Sequence, residues 1–243
     1  MKVKDLITKT KDMSWQEKLK FVCSAYNNIA FSTSFSIEDQ AITDVIIKNK
    51  LEVEIFAIDT GRLPNQTYEL WQETLEKYQS YDCKIKAYYP DVEQLEKFVS
   101  QNGINPFYKS KELRLACCNI RKVEPLKRAL KGKKIWISGV RKEHSVSRGD
   151  KEFFEYDDNL KIIKFYPLLE HSEEQVWQYI KENNIPYNKL YDQGYRSIGC
   201  DPCSRAVAKG EDIRAGRWWW EEETAKECGL HMVNGKLVRK KDS

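Results

Sequence analysis

Short apolar runs alternate along this chain with stretches whose apolar residues recur at helical spacing. Asn28 to Ser34 (Asn-Ile-Ala-Phe-Ser-Thr-Ser) predicts a strand that ends in small hydroxyl residues, and Phe35-Ser36-Ile37-Glu38-Asp39 then opens an amphipathic helix running to Lys48. The pattern repeats: Val53 to Ile58 is a buried-type strand, Asp59-Thr60-Gly61-Arg62 a polar turn, and Pro64 to Tyr78 a helix with its proline early, where a missing N–H costs least. Cys83 to Tyr89 gives a third strand, Asp91-Val92-Glu93-Gln94 caps a further helix, and Lys133 to Ser138 forms a fourth strand ending at Gly139. Upstream, Ser14-Trp15-Gln16-Glu17 has the form of a capping box and predicts a helix to Tyr26.

Strands alternating with helices of this length predict an α/β fold, a parallel sheet with helices on both faces. Ligands of such sheets bind beyond the carboxyl ends of the strands, here Ser34, Ile58 with Asp59, and Gly139. The turn from Ser34 into its helix has the geometry that presents backbone N–H groups to a phosphate, although without glycine it reads equally as an ordinary strand-to-helix turn. Past residue 140 the texture changes. Residues 140–150 form a polar, basic loop with Arg141, Lys142 and Arg148. Phe153 to Tyr156 and Lys161 to Tyr166 predict two short strands joined through Asp157-Asp158-Asn159, and Ser172 starts a helix that ends near Asn183. Beyond Cys203 few elements are legible. The chain is divided accordingly into an α/β nucleotide-binding domain over 1–205 and a flexible C-terminal segment and tail over 206–243.

Composition narrows the partners. At 243 residues, 41% of them hydrophobic and 32% charged, this is an ordinary globular chain with room for a sizeable core. A formal charge of +4 suits a small anionic substrate and falls short of the basic face that nucleic acid demands. Met1 to Trp15 holds no apolar run of signal-peptide length and no stretch predicts a membrane span, so a reducing, cytoplasmic setting is expected for the thiols.

Of seven cysteines, four fall in two tight pairs, Cys117-Cys118 and Cys200-Asp201-Pro202-Cys203. Cys-x-x-Cys alone can be a redox dithiol, and a cytosolic cysteine is often a small buried hydrophobe. Gly199, Asp201 and Pro202 make a turn rather than a core pattern, however, and a redox dithiol leaves the adjacent pair unexplained. Four thiols delivered as two local pairs suit one tetrahedral metal ion or one 4Fe-4S cluster, and spacing alone separates zinc from iron-sulfur only weakly. With three histidines, a histidine-rich metal site is set aside.

Over roughly residues 28 to 231 the sequence resembles the assimilatory phosphoadenylyl and adenylyl sulfate reductases, in particular the cluster-containing adenylyl sulfate (APS) branch. The resemblance rests on Ser34-Phe35-Ser36-Ile37-Glu38-Asp39, Asp59-Thr60-Gly61-Arg62-Leu63, the run from Cys117 to Leu126, Ser138-Gly139-Val140-Arg141, Gly199 to Cys203, Arg214-Ala215-Gly216-Arg217-Trp218 and Glu227-Cys228-Gly229-Leu230-His231. Two departures stand out: Ser36-Ile37 where Gly-Ala is expected, and Pro64-Asn65-Gln66-Thr67 where Pro-Glu-Thr is usual.

The resemblance implies an adenine-nucleotide α-hydrolase-like fold and reduction of adenylyl sulfate to sulfite and AMP through an enzyme S-sulfonate. It implies that Cys117, Cys118, Cys200 and Cys203 ligate a 4Fe-4S cluster. Arg148, Arg214 and Arg217 match positions that contact the anionic end of the substrate, and Lys122 matches a lysine between cluster and substrate. Ser34 and Ser36, with backbone groups of Ile58 and Gly139, would hold the nucleotide. Trp218, Trp219 and Trp220 are read as packing, since three consecutive aromatics cannot face one partner. The nucleophile is expected at Cys228, near which His231 would lie: setting aside the four paired cysteines leaves Cys23 and Cys83 in predicted element interiors, and Cys228 in a polar, glycine-followed segment. With no resolving cysteine nearby and no appended reductase domain, thioredoxin or glutaredoxin is expected as a separate partner. Family members are often homo-oligomers. Three alternatives remain: a reductase preferring the 3′-phosphorylated substrate (PAPS), an ATP-splitting adenylating enzyme of the same fold, and a non-enzymatic zinc module. The Ser34–Asp39 loop lacks the glycine pair and lysine of the ATP-splitting relatives, and a zinc module leaves Cys228 unexplained.

Overall fold

Ile-Ala-Phe-Ser-Thr can sit at the centre of a sheet only if both faces are covered, and β1 (Ile29–Thr33) is buried at every position but Ser32. The computed structural model describes residues 3–144 and 151–221. In it β1 lies between β2 (Val53–Ile58) and β4 (Ile135–Ile137), with β3 (Ile85–Tyr88) outside β2. On the other side come β6 (Ile162–Phe165) and β5 (Phe154–Asp157), giving the order β3-β2-β1-β4-β6-β5. Five strands run parallel and β5 is antiparallel to β6, so the expected parallel sheet is a mixed one. The reason is local. Residues 158–161 are too few for a crossover, and only a hairpin can join these two strands.

The helices cover both faces. The Ser14–Glu17 capping box is present and starts α2 (Trp15–Ala25), and Ser36 caps α3 (Ile37–Lys48). Pro64 stands at the cap of α4 (Asn65–Lys77), and Asp91 caps α5 (Val92–Asn102). Three helices were not legible from the pattern. The first is α1 (Val3–Thr10), which precedes α2 and buries Leu6 and Thr10. The other two are α6 (Lys111–Cys118) and α7 (Glu124–Leu130), which a π-helical turn over Asn119–Val123 joins into one interrupted rod. Pro125 has no N–H to give, and the ladder shifts to a Glu124 N–H to Asn119 C=O bond just before it. A capping box at Ser172 starts α8 (Glu173–Glu182), as its sequence predicts.

Residues 204–221 contain no helix or strand, in keeping with the sparse pattern after Cys203, yet they fold back onto the protein through a bridge between Ser204 and Arg217. Trp218 is 1% exposed, Trp220 donates its indole N–H to Phe107 C=O, and Trp219 is 40% exposed, so the three indoles diverge into packing and solvent. Among the described residues no helix is long and apolar enough to cross a membrane.

Candidate active site

A cavity of about 280 Å³ opens over the carboxyl ends of β1, β2 and β4. Its walls include Ser34, Ser36, Ile58 and Gly139, and its other side brings in Lys122, Arg214 and Arg217. Three further residues singled out in the sequence, Arg148, Cys228 and His231, lie outside the described residues.

The floor is the turn between β1 and α3. Without glycine, the left-handed backbone position falls on Phe35 (φ 61°), whose ring is buried and packs 5.1 Å from Trp71. Such a position costs about 1–3 kcal/mol in a non-glycine residue and persists because the surrounding packing holds it. The turn closes on its own carboxylate: Ser34 N–H and Ser34 Oγ each donate to Asp39 Oδ2 at 2.7 Å, while Asp39 N–H donates to Ser36 Oγ at 3.2 Å. The Ser34 N–H expected to face a phosphate is therefore already engaged. Gly139 presses on this turn from β4; a Cβ there would run into Asp39 Oδ1 and stand 2.8 Å from Glu38 Cβ. Burial, opposed by the Ser34 hydrogen bonds, pushes the Asp39 carboxyl up to about 6.

The sign of its pH effect follows. Between its ordinary value and about 6 the folded chain keeps a proton that the unfolded chain has released, so this contribution to stability falls as pH rises through that window. Thermal unfolding from pH 4 to pH 7 is expected to show the protein losing stability relative to Asp39→Asn. A constant difference between the two would refute it.

Glu38 and Arg141 were not assigned in the sequence. Arg141 Nε donates to Glu38 Oε1 at 2.6 Å, and its Nη1 donates to both Glu143 Oε2 at 2.5 Å and His171 C=O at 3.3 Å. This buried pair ties the first turn of α3 to the segment after β4.

The cysteine pairs meet beside the cationic wall. Cys117, Cys118, Cys200 and Cys203 are all buried and line one small cavity of about 20 Å³ together with Arg62, Arg114, Arg121 and Lys122. The loop after β2 holds them in place. Thr60 Oγ1 and Cys200 Sγ share a hydrogen bond of 3.3 Å, Asp201 N–H donates to Arg62 C=O at 2.8 Å, and Arg121 donates to Thr60 C=O at 2.6 Å. Arg217 Nε donates to Cys203 C=O, and a Cβ on Gly199 would collide with the Arg217 guanidinium, so only glycine lets that arginine pass. Burial pushes the Cys203 thiol up to about 12. At Cys200 burial also pushes upward, but Lys122, the Thr60 hydrogen bond, Arg217 and Arg121 together outweigh it and hold this thiol below its ordinary value. Among the described residues no group of three or more His, Cys, Asp or Glu side chains is arranged to hold a metal ion. The donor set is nonetheless four thiols with no oxygen or nitrogen donor, beside cations whose pull outweighs burial at Cys200, and thiolates of this kind suit zinc or an iron-sulfur centre rather than a hard cation.

A mostly parallel sheet with a cavity at its carboxyl ends defines an α/β protein of the kind that binds its ligands beyond the strand ends. The fold is shared with a *Candida glabrata* FMN adenylyltransferase in complex with FAD and inorganic pyrophosphate, at a TM-score of 0.54 and 13% identity, covering 96% of this chain and 82% of that one. Residues 28–206 match the phosphoadenosine phosphosulfate reductase domain. An adenosine 5′-phosphosulfate reductase of *Allochromatium vinosum* is 45% identical over 222 residues, 91% of this chain and 86% of the relative. The crystal structure of phosphoadenylyl-sulfate (PAPS) reductase from *Candida auris*, a phosphate complex, superposes with a TM-score of 0.71 at 32% identity, covering 85% of this chain and 98% of that one. The chain belongs to the phosphoadenosine phosphosulfate reductase family and is an oxidoreductase acting on sulfur groups.

Proposed function

We propose that this protein reduces adenylyl sulfate to sulfite and AMP, as the names of its relatives suggest. The observation that carries the reading is the cavity over the strand ends, one side of which is lined by Lys122, Arg214 and Arg217 next to four buried thiols. The planar fork of arginine suits a phosphosulfate because it donates in parallel to oxyanions. Cys228 is the nucleophile in this reading. Its thiolate attacks the sulfate sulfur, the bond from sulfur to the phosphate oxygen breaks, and AMP leaves with that electron pair. The resulting S-sulfonate is released as sulfite when a thiolate of thioredoxin or glutaredoxin attacks Cys228 Sγ, and the reductant's second thiol then frees Cys228, leaving the reductant as a disulfide.

Cys117, Cys118, Cys200 and Cys203 would hold a 4Fe-4S cluster. When bound, it would add a fixed charge distribution beside the substrate's anionic end. Anaerobically prepared protein is then expected to be brown with a broad absorbance near roughly 400 nm, and Cys200→Ser to lose that band. Colourless protein with stoichiometric zinc and no sulfide would defeat the assignment.

Supplied with adenylyl sulfate and reduced thioredoxin, the protein is expected to release sulfite and AMP in equal amounts; AMP without sulfite would sink the reading. Arg214→Ala and Arg217→Ala are each expected to weaken AMP binding about tenfold, the effect of losing one charge-assisted bond. Unchanged calorimetric affinity in both would show that neither touches the ligand. Likeness to the *Candida auris* enzyme favours one second reading, the 3′-phosphorylated substrate.

A further inference from the structure

Charge is distributed unevenly along the main cavity. On the cysteine side stand Lys122, Arg214 and Arg217. Two further arginines of the wall are paired with carboxylates: Arg141 is held by Glu38 and Glu143, and Arg196 pairs with Glu173. These carboxylates belong to one neighbourhood. Glu173 N–H donates to Glu143 Oε2 at 3.1 Å, and the half-buried Tyr191 has its phenol pushed up by burial first and then by Glu38, Asp39 and Glu173. The wall of the cavity thus carries the carboxylates of Glu38 and Glu173 as well as cations.

We infer that Glu173, by occupying Arg196 at the cavity rim, is a specificity-determining residue that makes the site discriminate against an adenine nucleotide carrying a further phosphate on its ribose. This rests on the reading that the cavity binds adenylyl sulfate by its anionic end. A ribose phosphate carries a charge of about −1.5 to −2 at neutral pH, so it meets like charge at this wall unless an arginine is released to receive it. Arg141 is fully buried in its pair, and releasing it would take the guanidinium from a buried carboxylate. Arg196 is different: its side chain is 44% exposed and that of Glu173 20%. This pair can open, and Glu173 keeps it closed. Exclusion by a placed like charge is a recognised source of specificity.

The probes are AMP and adenosine 3′,5′-bisphosphate, which need neither reductant nor turnover. Calorimetry on the intact protein is expected to give tighter binding of AMP. Glu173→Gln keeps the side-chain shape and the Ser172–Gln175 capping box, and it is expected to improve binding of the bisphosphate relative to AMP by about tenfold, equivalent to removing one like-charge contact. Adding Arg196→Ala to that variant is expected to abolish the gain. A role confined to stability would lower both affinities together and leave their ratio fixed. If the protein prefers AMP and Glu173→Gln leaves the ratio unchanged, the inference fails and the substrate reading stands. Should the unmodified protein bind the bisphosphate as tightly as AMP, the inference fails as well. If it binds neither nucleotide, the reading itself falls and the inference with it.

Discussion

Replacing Cys228 by serine is expected to reduce turnover by more than about a thousandfold, the order seen when a covalent nucleophile is removed, while AMP binding persists. The six other cysteines explain why no substitute is available. Four are buried around the small cavity, and the remaining two, Cys23 and Cys83, are half-buried against the main core. Burial pushes Cys23 up to about 12 and Cys83 up to about 11, so at neutral pH neither supplies a thiolate. Sulfur-labelled substrate without reductant should leave its label on one residue, and peptide mass spectrometry should place it at position 228. Full turnover in Cys228→Ser, or label on Cys23 or Cys83, would refute the mechanism.

The second large effect is on stability. Arg141→Met is expected to cost about 3–5 kcal/mol, because Glu38 stays behind as a buried carboxylate that has lost its guanidinium. For a domain of this size that corresponds to a fall in Tm of roughly 10 °C. The pair between Arg205 and Glu211 provides the contrast. Its side chains are 37% and 35% exposed, and Arg205→Ala is expected to leave the melting temperature nearly unchanged. Melting curves of the two variants decide the matter. A shift of only a degree or two in Arg141→Met would mean that water or a neighbouring group reaches Glu38.

Much of the sheet was legible because its signals are local. Val53–Ile58 is a strand from end to end, and the serines at 14, 36 and 172 cap their helices as their sequence neighbours require. Where the sequence was silent, the deciding partner lay far away or inside an unusual turn. Glu38 and Arg141 are 103 residues apart, and nothing near either one marks it as half of a buried pair. The rod from Lys111 to Leu130 carries its cysteines and cations across a π turn, which breaks the periodicity by which a helix is recognised. The Ser34–Asp39 turn hid its left-handed residue because Phe35, not glycine, adopts it, and what permits this is the buried contact with Trp71. Candidate site residues could be named from short motifs, but the Glu173–Arg196 pair had no motif to announce it.

The loop after β2 is common property. Thr60 lines the large cavity and bonds Cys200, Lys122 lines both cavities, and Arg217 lines the first while bonding the backbone of Cys203. What fills one chamber therefore meets side chains that also face the other. If a nucleotide in the large chamber tightens the hold on whatever the four thiols carry, that occupant must tighten the nucleotide by the same factor, since linkage between two binding equilibria is reciprocal. On that condition, loss of whatever the four thiols carry would register as weakened nucleotide affinity before any step of chemistry is reached.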